Sequence, residues 1–191
     1  MDRGIGAERA LTILLLASFI VNLGFSAIAP VFLYLVLALK GVLKELPELT
    51  IGMIEAHRGA FEFGLLTGAF MATRAPIAIS SGFLSDLFGR KRIIVLGMLL
   101  YLASAIGFIL AQDVATLIIF RAVQGVASGM VWPVAEAYIA DVTKRWQRGK
   151  ALSAYTSTML IAELVGPAVG VIVYKAWCIL FGPSDYLMAL K

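Results

Sequence analysis

Four ionisable side chains, Arg74, Arg121, Glu136 and Glu163, stand inside long apolar stretches of a 191-residue chain in which only 15% of residues are charged. Two amides, Asn22 and Gln124, share those stretches. A charge surrounded by hydrocarbon is costly and persists where it meets water, an opposite charge or a ligand. A carboxyl whose cationic partner can move away binds and releases a proton, which makes Glu163 and Glu136 the candidate proton carriers. A guanidinium holds an anionic group through its fork of N–H donors, the task open to Arg74 and Arg121. Asn22 and Gln124 can orient a polar ligand beside them. The plain structural alternative is that Arg74 and Glu163, at similar depth, form one ion pair that ties the chain together.

The elements that carry these residues follow from composition. The chain is 61% hydrophobic, with a mean hydropathy of +0.93, against about 45–50% apolar and about 25% charged in a soluble domain. The apolar residues fall in runs over 11–39, 63–87, 93–111, 114–140 and 151–174. Each can cross about 30 Å of hydrocarbon as a helix. In lipid the backbone must satisfy its own hydrogen bonds, so an all-α bundle of five membrane-spanning helices is expected. A sixth helix begins from about Tyr186. The first run is about twice the length of a secretory apolar region and reads as a retained span.

Helical spacing gathers the polar residues into stripes. Ser18, Asn22, Ser26 and Ala29 share a face in the first span. Thr67, Phe70, Arg74, Ala78, Ser81 and Ser85 do so in the second. The fourth has Arg121, Gln124, Gly125, Ser128, Trp132 and Glu136, and the fifth Thr156, Met159, Glu163, Gly166 and Gly170. The third span has only Tyr101 and Ser104 as clear polar interruptions. Four striped helices around a wet cavity, with the third facing lipid, is the expected arrangement. Basic residues number nine on one side (Arg3, Arg9, Arg90, Lys91, Arg92, Lys144, Arg145, Arg148, Lys150) and four on the other (Lys40, Lys44, Arg58, Lys175). The positive-inside rule then makes the amino terminus cytoplasmic. The outward segment 41–62 reads as a solvated loop with a short amphipathic helix.

The turn after the second span reads Gly82-Phe-Leu-Ser-Asp86-Leu-Phe-Gly89-Arg90-Lys91-Arg92. Gly82 is expected to allow close helix packing, Gly89 a tight turn, and Asp86 with Arg90 a charge-assisted hydrogen bond. This stretch resembles the signature loop of the major facilitator superfamily, apart from Leu87, where that family carries a basic residue. Arg121-Ala-Val-Gln124-Gly125 is similar to a motif in the fourth helix of the same family. The stretch from Asp141 to Arg148-Gly149-Lys150 follows its pattern too, and the resemblance implies an Asp141–Arg90 contact that latches the cytoplasmic side. Gly166-Pro167-Ala-Val-Gly170 partly resembles the antiporter motif of the drug:proton branch, with Ser153, Ala162 and Val171 replacing three of its glycines. Gly166 and Gly170 form a small-xxx-small seam, and Pro167 loosens its helix.

The resemblance implies the amino-terminal half of a two-half carrier in the cell (plasma or inner) membrane, with the carboxy-terminal half missing as a partner. Its expected function is proton-coupled efflux of small molecules by alternating access. Uptake of sugars or organic anions, or a non-transporting truncated module, are the alternatives. The expected partners are a small-molecule substrate and the lipid bilayer, not nucleic acid. No cofactor is expected, the proton gradient being the energy source. Enzyme chemistry has no purchase: there is no Gly-rich phosphate loop and no nucleophile–base set. One cysteine (Cys178) and one histidine (His57) give neither a metal site nor an internal disulfide.

Overall fold

The computed structural model describes residues 2–39 and 60–181. Over these, five α-helices follow one another: α1 (Asp2–Leu39), α2 (Ala60–Phe88), α3 (Arg90–Leu110), α4 (Val114–Val142) and α5 (Arg148–Phe181). No strand occurs among the described residues. All five helices hold stretches long and apolar enough to span a bilayer. Most of segment 41–62, His57 and the expected start of a sixth helix near Tyr186 lie outside the described residues.

The helices outrun the apolar stretches. α1 begins at Asp2 rather than residue 11, and α5 covers 148–181 rather than 151–174. A hydropathy run marks where a helix crosses hydrocarbon, whereas the helix itself continues while its backbone bonds can form. α4 starts where Asp113 caps it, its carboxylate accepting from Thr116 N–H at 2.6 Å. That hydrogen bond to the charged form holds the Asp113 carboxyl below its ordinary range. Prolines 76, 133 and 167 lie inside continuous helices. Such prolines are tolerated in spans when neighbouring groups serve the freed carbonyls.

Two close helix pairs organise the unit, α2 with α4 and α1 with α5, and α3 lies along α4. Small residues make each approach possible. A Cβ on Gly125 would meet the Phe70 carbonyl and the Thr73 hydroxyl, and one on Gly129 would meet the Arg74 carbonyl. The Thr73 hydroxyl donates across this seam to Ala122 C=O at 2.8 Å. In the other pair, Gly166 lies against Ser26 and Gly170 against the Ala27 backbone. There the Ser26 hydroxyl donates to Glu163 C=O at 2.7 Å. The core divides into two clusters, one around Phe32, Leu66, Phe108 and Leu117 and one around Leu14, Trp132, Ile139 and Tyr155.

Candidate functional site

α4 positions the central group. Arg121 is half-buried two turns into the helix, on the face that α1 and α2 cover. Its guanidinium carbon lies 4.9 Å from the Phe25 ring centroid, 5.1 Å from Phe32 and 4.9 Å from Phe70. Phe25 and Phe32 stand seven residues apart on α1, hence on one face, and Phe70 comes from α2. One Arg121 N–H donates to Gln124 Oε1 at 2.6 Å. Its Nε is buried with no hydrogen-bond partner, and no carboxylate forms an ion pair with it among the described residues. Three aromatic faces therefore do what a counter-ion ordinarily does, offering negative quadrupole density to a desolvated cation.

Arg74 joins the same cluster from α2, with its guanidinium 5.9 Å from the Phe70 centroid. It is half-buried and likewise without a carboxylate partner among the described residues. Tyr101 of α3 stands near both arginines, beside Ser128 and Trp132 of α4. The ion pair between Arg74 and Glu163 that equal depth suggested is not formed. Glu163, close to the middle of α5, lies exposed on the outside of the five-helix unit and offers only its backbone carbonyl to Ser26. Glu136 is also exposed, although Gln124, Gly125, Ser128 and Trp132 of its stripe are buried and Arg121 is half-buried.

Asn22 is buried on α1, and its amide nitrogen has no partner among the described residues. Much of the remaining polar stripe material lies in seams between helices. Ser81 and Ser85 are buried and donate to carbonyls of their own helix, at 3.0 Å to Ala78 and 2.7 Å to Gly82. A serine that bonds within its own helix needs no cavity water, so a polar stripe overstates how much of a helix lines one.

At the other end, Gly89 takes φ +91, a conformation open to glycine, and starts α3 directly after α2. Arg90 follows, its Nε 2.6 Å from Asp141 Oδ2 of α4 and its NH2 group 3.5 Å from Asp86 Oδ1. Gly82 departs from expectation. A Cβ there would meet nothing within 4 Å, so no neighbouring helix requires its smallness in this arrangement. Lys91 is exposed beside these ion pairs.

Residues 14–181 match the Major Facilitator Superfamily. The chain belongs to this family. It is therefore a multi-pass membrane protein, which accords with its five apolar helices. Among curated relatives, it is 34% identical over 142 residues to multidrug resistance protein 3 of Bacillus subtilis, covering 71% of this chain and 28% of that protein. Multidrug resistance protein 2 of the same organism is 28% identical over 171 residues, 89% of this chain and 38% of the relative. The quinolone resistance protein NorA of Staphylococcus aureus is 28% identical over 130 residues, 68% and 34% of the two chains. The chain thus spans 28% to 38% of the lengths of these facilitator relatives.

The phenylalanine cage escaped the sequence reading, which named Phe70 only as part of a stripe. The signal that could have found it is the seven-residue spacing of Phe25 and Phe32 on the helix that also carries Asn22.

Proposed function

We propose that this chain is the amino-terminal half of a secondary transporter that exports small molecules in exchange for protons by alternating access. The observation that carries the reading is Glu163, a carboxyl at mid-helix on the outer surface of the unit with no partner for its side chain among the described residues. Acyl chains are a poor environment for such a group, so this face of α5 meets water or a second protein half. A site of that kind lets a carboxyl take a proton on one side of the membrane and release it on the other. The multidrug and quinolone resistance proteins to which the chain is similar support drug molecules, quinolones among them, as cargo. The amino terminus is cytoplasmic, the membrane is the cell (plasma or inner) membrane, and Arg90 with Asp86 and Asp141 latches the cytoplasmic side.

The test is a complete carrier containing this half, reconstituted in liposomes with a fluorescent quinolone inside and an inward proton gradient. Quinolone efflux with matched proton entry, abolished by Glu163→Gln, is the expected result. Gradient-driven efflux that persists unchanged in Glu163→Gln overturns the role of Glu163. A second reading, uptake of organic anions, draws on two arginines that share the Phe70 ring without a carboxylate between them. In the same liposomes it requires protons and an external carboxylate such as benzoate to enter together.

A further inference from the structure

Three consecutive cations open α3, and the structure divides them. Arg90 turns to Asp86 and Asp141. Lys91 and Arg92 are exposed, and neither has an ion pair among the described residues. Together they head an open groove of about 420 Å³ down the outward face of α3, walled by Val95, Leu96 and Leu99. Those three apolar side chains are 49%, 49% and 57% exposed.

This juxtaposition has a definite chemistry. An ammonium and a guanidinium side by side suit a phosphate diester, and the apolar wall below them suits a hydrocarbon chain. Arg92 to Leu99 covers about 10 Å at 1.5 Å per residue, roughly two-thirds of one leaflet's hydrocarbon depth. A zwitterionic lipid brings its own cation to the phosphate. An anionic one leaves its charge for the protein to neutralise. We propose that the Arg90 end of α3 binds one anionic phospholipid, its phosphate on Lys91 and Arg92 and an acyl chain along Val95, Leu96 and Leu99. The site does not depend on the transport reading. The basic stretch before α5 provides the contrast: Lys144 spends its charge on the exposed Trp146 ring at 5.3 Å.

The test is native mass spectrometry of the full chain in mild detergent with equal phosphatidylglycerol and phosphatidylcholine. One phosphatidylglycerol retained in preference is expected. The double variant Lys91→Gln/Arg92→Gln lowers that retention about tenfold, as loss of charge-assisted hydrogen bonds predicts. The control Lys144→Gln/Arg145→Gln leaves it unchanged. Leu96→Ala/Leu99→Ala, which keeps the cations, weakens retention of both lipids. Equal losses in the two charge variants, or no loss in the leucine variant, overturn the site. So does displacement of the lipid by millimolar inorganic phosphate, which would make it a site for soluble phosphate.

Discussion

Arg121 sits among three phenyl rings with no carboxylate paired to it among the described residues, whereas Arg90 faces Asp141 at 2.6 Å and Asp86 at 3.5 Å. One group is thus held in two ways, and the surroundings explain the choice. The Arg90 contact lies at the polar edge of the unit, with its side chain 25% exposed and that of Asp141 55% exposed. Water and salt screen such a pair, and its worth is at most about 1 kcal/mol. It can therefore break and re-form at little cost, which the proposed latch requires. Arg121 is screened less, and three rings face it where no carboxylate of the described residues does.

The largest expected effect comes from breaking the seam that brings Phe70 to Arg121. Gly125→Val drives a side chain into the Phe70 carbonyl and Thr73, at a cost of about 3 kcal/mol or more. The melting temperature in detergent should drop sharply. Gly82→Ala, facing open space, should leave it nearly unchanged. Next in size, Phe70→Leu should cost about 1–2 kcal/mol more in the native background than in Arg121→Met, the coupling expected of a desolvated cation–π contact. A denaturation cycle of the four proteins reads that difference.

Smaller still, Arg90→Ala or Asp141→Asn should destabilise by no more than about 1 kcal/mol, and the difference should vanish in about 1 M salt. The Phe70–Arg121 coupling should survive the same salt. Smallest of all is the cap at the far end of α4. Asp113 titrates lower when folded than when unfolded, so its contribution is complete above the ordinary carboxylate range and fades as pH falls through the lowered value. Asp113→Ala should therefore show a slight deficit near neutrality that disappears in acid, measurable as melting temperature against pH.

The sequence made some of these features legible and hid others. The spans were readable because about 20 apolar residues in a row have few other uses. The Gly166–Gly170 seam was readable because small residues at that spacing imply a close neighbour, and α1 is that neighbour. Gly82 looked equivalent, yet it faces open space, because spacing alone does not say whether a helix lies opposite. The stripes gave depth but not orientation: Glu136 lies exposed while Gln124, Ser128 and Trp132 on its stripe are buried. The cage was invisible for a related reason. A phenylalanine that faces lipid and one that faces a guanidinium are the same letter, and only the meeting of α1, α2 and α4 separates them.

The central claim is that aromatic faces carry the charge of Arg121 at membrane depth. Replacing Phe70 by mono-, di- and trifluorophenylalanine drains electron density from the ring with little change of shape, so the melting temperature of the full chain reads the claim directly. A stepwise fall with each fluorine in the native chain, and a flat response in Arg121→Met, is the predicted result. Equal slopes in the two backgrounds would contradict it.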